Sequence, residues 1–349
     1  MDVFTAAFPT FTTTTEPLIY AFAREHPDLF AGDAVPPIPS TLFAYIHGFR
    51  EREKVPYRLQ RKLQAHINAN PVRAFFRSSD PRERARIFSS SHTISSSAFG
   101  AFVSADGTVG PEISDSDFRI ALSLRLGLPL APSLPPSHCT LCDDCPSLAE
   151  DPGHPISCKG VLRTATSKRH NRIVTAIANF ANHQAGCLVR KELTINLDSR
   201  KRPDLDFLTM DRLQQDFISD VEITRADCTS YVAQSSAVSG WAANSGAKTK
   251  IAKYQKLTKR PIIPLVFEAH GRPSDSALEA IKIIARAAEA MYPADKQRNV
   301  SAEVTRELFH VISVHLHRGN AAVARAYVAA VQRKDPAAAD SVDDSLLDH

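Results

Sequence analysis

The sequence predicts an α/β protein, and three observations carry that expectation. From about Gly160 to Asp295, helix-period and strand-period segments follow one another as helix, three strands, helix, strand, helix. Two of the strand segments, Asp204 to Met210 and Phe217 to Thr224, flank the polar stretch Asp211 to Asp216 as the arms of a hairpin do. A third, Ile262 to Ala269, is almost wholly apolar between Pro261 and Gly271, which suits a strand covered on both faces.

Each element has a local reason. Ser167 to Gln184 places Ile173, Ile177, Phe180 and Ala181 on one side of a helix, and the segment Cys187 to Leu197 follows as the first strand. The helix expected over Ala242 to Leu257 precedes the apolar strand, and Ser274 to Ala290 is amphipathic. Two further helical segments, Ala302 to His317 and Asn320 to Gln332, lead into a tail with five Asp after Lys334 and no Lys or Arg, which reads as disordered. Upstream, residues 1 to about 40 are rich in Thr, Pro and aromatics without a period and read as loosely ordered around a short helix at Leu18 to Glu25. Residues 47–86 read as helical and basic, with eleven Lys or Arg against four acids. Such a run is either a solvated face or a surface that tracks phosphates. Ser89 to Ser97 marks a break. A helix capped by Ser114 or Asp115 then runs to a stiff linker at Pro129 to Pro136. The resulting division is a helical, linker-like region over 1–137, a compact cysteine-rich segment over 138–160, an α/β domain over 161–295, and terminal helices with the acidic tail over 296–349.

Composition excludes more than it assigns. With 42 Lys plus Arg against 38 Asp plus Glu, the net charge of +4 argues for no partner class. No stretch approaches the roughly 18 uninterrupted apolar residues of a membrane span. Met1 to Thr15 lacks the basic start of a secretory signal, so an intracellular protein is expected.

Four of the six cysteines fall between Cys139 and Cys158, a crowding that suggests a metal site in a reducing compartment. Cys139 and Cys142 form a C-x2-C pair, and His154 and Cys158 form H-x3-C eleven residues later. Thiolates and an imidazole at such spacing allow a closed tetrahedral zinc of structural type. Cys145 is an alternative ligand, because it makes a second C-x2-C pair with Cys142. Cys187 and Cys228 read as small buried hydrophobes.

A second constellation is acidic and basic. Asp220 and Glu222 alternate with Val221 and so share a face of their strand; if the hairpin pairs in register, Asp204 meets Asp220 across it. Clustered carboxylates repel one another unless a hard divalent cation, Mg2+ or Mn2+, accepts them. On the following helix Lys250, Lys253 and Tyr254 stand at i, i+3 and i+4 and share a face, within a six-cation run from Lys248 to Arg260. A lysine beside bound metal can orient an attacking water or stabilise charge on a phosphate.

In that order, these motifs resemble the PD-(D/E)xK nuclease core. The wider series is Phe118-x2-Ala121-Leu122-x3-Leu126-Gly127-Leu128-Pro129, the cysteine cluster, Arg169-His170-Asn171, Glu192, Arg202-Pro203-Asp204, Asp220-Val221, Lys250-x2-Lys253-Tyr254 and Pro264-Leu265-Val266-x-Glu268. It is similar to the C-terminal half of non-LTR retrotransposon polyproteins that carry a restriction-like endonuclease, over roughly residues 85 to 320. The resemblance implies a restriction-endonuclease-like core behind a zinc knuckle, in a nuclear, metal-dependent enzyme. It would nick target DNA with Mg2+-activated water and expose a 3′ hydroxyl that primes reverse transcription. It further implies Asp204 and Asp220 as metal ligands, Lys250 as the active-site lysine with Lys253 and Tyr254 nearby, and Glu192 as a further acid. Lys168, Arg169, His170, Asn171, Arg202, Lys248 and Lys256 would face DNA, or RNA. Two departures stand out: Glu222 occupies the place where a lysine is expected, and the cysteine spacing is irregular. No polymerase motif with paired aspartates on a hairpin is present. The chain therefore reads as a retroelement fragment or host-retained descendant, an endonuclease or, alternatively, an inactive nucleic-acid binder.

Overall fold

A computed structural model describes residues 80–334 except 101, 104–106, 108, 129, 131–137, 144–145, 162, 193–201, 210–215, 294–296 and 298. The expectations for residues 1–79, for most of the Pro-rich linker, for Cys145, for the hairpin turn and for the acidic tail lie outside the described residues. Those described belong to one compact unit, 80–349.

Helix α1 (Pro81–Ser90) starts where Asp80 accepts the backbone N–H groups of Arg82 and Glu83, with proline in the first turn. The serine-rich stretch expected as a break instead forms a short helix, α2 (Thr93–Ser97), capped by the His92 ring. Helix α3 (Asp115–Leu126) has Ser114 as its N-cap and ends in Gly127 at φ +71. A Cβ at Gly127 would lie 2.3 Å from the Arg86 guanidinium, so both the backbone and the space require glycine.

Helix α4 (Arg163–Gln184) leads into β1 (Cys187–Lys191), which pairs antiparallel with β2 (Leu205–Thr209). Strand β2 pairs antiparallel with β3 (Phe217–Ser219). The single strand expected from Phe217 to Thr224 is interrupted at Asp220 and resumes as β4 (Val221–Thr224), which pairs in parallel with β5 (Leu265–Glu268). The interruption has a simple origin: β3 bonds to β2 on one side, β4 bonds to β5 on the other, and Asp220 is the residue at the hand-over. The two small sheets stay joined there, through bonds from Ile263 N to Ile218 O and from Leu265 N to Asp220 O. Between β4 and β5 run the short α5 (Val232–Ser235) and α6 (Trp241–Tyr254). After β5 come the amphipathic α7 (Asp275–Ala290) and α8 (Val300–Lys334).

The fold is thus mixed α/β. Its main core gathers Ile173 and Ile177 of α4, Leu205, Phe207 and Phe217 of the sheet, Ile281 and Ile284 of α7, and Leu308, Ile312 and Leu316 of α8. Phe207 and Phe217 stack across β2 and β3 at 4.5 Å. The C-terminal segments, read as two helices, are one helix of 35 residues. Gly319 and Asn320, at the expected boundary, lie inside it. Arg169 packs closely against Gly319, where a Cβ would meet Arg169 Cγ at 2.6 Å. No helix among the described residues is long and apolar enough to cross a membrane.

Candidate functional site

The cysteine-rich segment is a turn and a short 3-10 helix (His154–Ile156) packed beneath α8. Cys139, Cys142, His154 and Cys158 bring one ligand atom each to within 4.8 Å of one another. Cys139 Sγ lies 3.7 Å from both Cys158 Sγ and Cys142 Sγ, and Cys142 Sγ lies 3.5 Å from His154 Nε2. A tetrahedral zinc with bonds of about 2.3 Å to sulfur and 2.0–2.1 Å to nitrogen requires edges of roughly 3.8 and 3.6 Å. Three of the separations match these edges, and the whole set, within 4.8 Å, could hold such an ion; it is mostly buried, as structural zinc sites are. Tyr327 of α8 presents its ring edge-on to His154 at 6.3 Å. Cys187 is buried as expected, whereas Cys228 is only partly buried and its thiol donates to Arg225 O.

The cysteine-rich segment is clamped to the rest by a charged cluster that the sequence pattern does not foretell. Arg225, buried just after β4, pairs with Asp151 of the segment and with Asp227 (3.0 Å), and donates to Ser157 Oγ (2.7 Å). Arg82 of α1 reaches the same Asp151 at 3.1 Å. Arg225-x-Asp227 is the one signal in the sequence, but a charged pair two residues apart usually lies in solvent.

The carboxylates converge. Continuing the β2–β3 register, in which Leu205 faces Ser219, sets Asp204 opposite Asp220 as expected. Asp220 Oδ2 lies 3.3 Å from Lys250 Nζ and 3.3 Å from Lys253 Nζ, and Lys250 Nζ also lies 3.3 Å from Glu222 Oε2. The Lys253 ammonium donates to the Tyr254 hydroxyl at 2.6 Å, and that hydroxyl donates to Arg202 O at 3.0 Å. The i, i+3, i+4 face of α6 is therefore aimed at the point where the strand changes partners. Glu192 sits beside this point through its backbone, which donates to Asp204 O at 3.0 Å, while its side chain is exposed.

His170 joins the cluster. Its Nε2 lies 3.1 Å from Asp204 Oδ2 and 3.2 Å from Val221 O, and Val221 N donates to the same Asp204 oxygen at 2.7 Å. The hydrogen bond to Asp204 outweighs burial and raises the imidazole to about 9. Burial pushes the two aspartates up, yet Asp204 ends below the usual carboxylate range because its hydrogen bonds with His170 and Asp220, and the charge of His170, favour its ionised form. Asp220 ends above that range, since burial and its neighbour Asp204 outweigh Lys250. Two carboxylates with opposite shifts share one site.

The other residues expected at a nucleic-acid surface divide. Lys168, Asn171, Arg202, Lys248 and Lys256 are exposed. Arg169 turns inward instead: it donates to Ile156 O and to Asn320 Oδ1 (2.9 Å), tying α4 to the cysteine-rich segment and to α8. Asp206, two residues beyond Asp204, is fully buried and neutralised by Arg190 (2.5 Å) and Arg260 (2.5 Å), which removes it as a free acid. No model of a known protein family matches the sequence, and no curated protein is significantly similar to it.

Proposed function

We propose that this protein is a metal-dependent DNA endonuclease of restriction-like type, resembling the target-nicking region of non-LTR retrotransposons, with a structural zinc knuckle. The observation that carries the reading is the convergence of Asp204, Asp220, Lys250 and Lys253 where β3 gives way to β4. Further support comes from the strand order β1-β2-β3 continuing through Asp220 into β4-β5, with α4 before the sheet and α6 across it. A nuclear site of action follows from the resemblance alone.

Paired hard oxygen donors, one of them with raised proton affinity, suit Mg2+ or Mn2+. Such an ion would supply Lewis acidity toward a scissile phosphate. Asp204 and Asp220 would hold it, and His170 would hold Asp204 in place through Nε2. Lys250 lies between Asp220 and Glu222 and is the group best placed to bind a phosphate oxygen or orient a water. Lys253, fixed by the Tyr254 hydroxyl, adds positive charge beside it. Exposed Lys248 and Lys256 on the same helix would contact flanking phosphates.

One observation favours the second reading, an inactive nucleic-acid binder: both lysines already occupy Asp220 Oδ2, so a cation must displace them. Supercoiled plasmid separates the two. The endonuclease reading expects nicks in Mg2+ or Mn2+ that DNA ligase reseals, since hydrolysis would leave a 5′ phosphate and a 3′ hydroxyl. Intact plasmid, or nicks that ligase does not close, would count against it.

A further inference from the structure

A groove of about 730 Å3 lies between α4 and α8, within the roughly 300–1,000 Å3 range of ligand-binding clefts. Its α4 wall is a polar stripe at helical spacing: Lys168, Asn171 and Arg172, Thr175, Asn179, His183. From Lys168 to His183 the stripe climbs roughly 22 Å at 1.5 Å per residue. Its floor is apolar, with Ala176, Phe180, Val311 and Pro111. From the α8 side comes His315, whose half-buried ring leaves Nδ1 without a hydrogen-bond partner. Burial and the nearby cations Arg318 and Arg172 keep that ring neutral, pushing it down to about 4. Among its described lining residues two cations, Lys168 and Arg172, stand against a single acid, Glu307.

The groove also has a direction. Asn171 Oδ1 lies 3.1 Å from His170 Nδ1, and the other ring nitrogen of His170 faces Asp204. One end of the stripe therefore abuts the carboxylate–lysine cluster.

The geometry points to the α4–α8 groove as a track for a single nucleic-acid strand. A cationic lip suits a phosphodiester backbone. The apolar floor suits unstacked base faces, which a duplex keeps covered and a single strand leaves free. The choice of ligand rests on the proposed function, but the groove is a separate surface and is tested separately.

The test is fluorescence anisotropy of labelled oligothymidylate and labelled oligouridylate with the full chain, in zinc-containing buffer without Mg2+. Arg172→Gln with His183→Gln changes two exposed residues, so folding is not at risk. The expected result is several-fold weaker binding and a shallower salt dependence, by about 0.7 in log–log slope for each phosphate no longer neutralised. Weaker binding of either strand by the double variant supports the track, and a preference between the two strands would report the sugar or the 5-methyl group of thymine. Lys282→Gln, an exposed cation on α7 outside the groove, should leave binding as it is. Unchanged binding by the double variant, an equal loss in Lys282→Gln, or displacement of the strand by polyglutamate as readily as by unlabelled oligonucleotide would overturn it. The two readings fail separately. A parent that never nicks but binds strands through Arg172 and His183 keeps the groove without the nuclease. A nicking parent whose double variant binds normally keeps the nuclease without the groove.

Discussion

Glu268 shows how much one side chain can decide. It is buried on β5, and its Oε1 accepts the Ala243 N–H at the start of α6, at 3.4 Å. Burial raises its carboxyl to about 7, against lowering by Ser89, the first N–H groups of α6 and Arg272. Since the folded value lies above the ordinary 4.5, its contribution to stability is complete below pH 4.5 and is lost as pH rises through 7. Glu268→Gln imitates the protonated acid. We expect it to match the parent near pH 5 in thermal denaturation and to exceed it at pH 8, by at most on the order of 3 kcal/mol. An equal difference at both pH values would contradict this. At the same scale, sequence pattern was sufficient for Asp204 and Asp220, because strand parity and hairpin register are local properties. It was insufficient for His170, whose meeting with Asp204 depends on how α4 crosses the sheet.

Among the elements, α8 and the β3–β4 strand are the instructive cases. A Gly-Asn pair in a helical pattern normally weakens it, yet α8 runs through Gly319 and Asn320 unbroken. Only the third dimension supplies Arg169, which fills the space above Gly319 and bonds to Asn320. Gly319→Ala therefore sets two effects against each other: about 1 kcal/mol gained in helix propensity and about 1–3 kcal/mol lost to overpacking a buried side chain. We expect a net loss, read as a lower melting temperature and, in a crystal structure of the variant, a displaced Arg169. A more stable variant would mean that Arg169 yields freely. The β3–β4 strand was legible as a strand from its composition, but its change of partner at Asp220 was not, because the partner β5 lies more than forty residues onward.

Over the whole molecule, the cysteine-rich segment links parts that are distant in sequence. Cys139, Ile156 and Cys158 share one apolar cluster with Ile120 and Leu124 of α3 and with Tyr327 of α8, while Arg225 anchors the segment to the end of β4. Zinc removal should therefore loosen more than a local turn. A chelator should lower the melting temperature by many degrees and uncover α8 to hydrogen exchange. Cys142→Ser should lose zinc, whereas Cys145→Ser should keep one zinc per chain by elemental analysis. Stability indifferent to chelation would refute the structural role. The ligand spacing was readable in the sequence. The choice among the cysteines was not, because two overlapping C-x2-C pairs satisfy the same rule.

We propose that Asp204 and Asp220 hold the cation that, with Lys250, serves DNA cleavage. Its most direct measurement is nicking of supercoiled plasmid by the zinc-loaded parent beside Asp204→Asn, Asp220→Asn and Lys250→Ala, with the zinc content of each protein measured in parallel. The account predicts nicking by the parent in Mg2+ or Mn2+, and a loss of at least about a hundredfold in each variant at unchanged zinc content. Nicking that survives in the aspartate variants, or a parent as silent as they are, would contradict it.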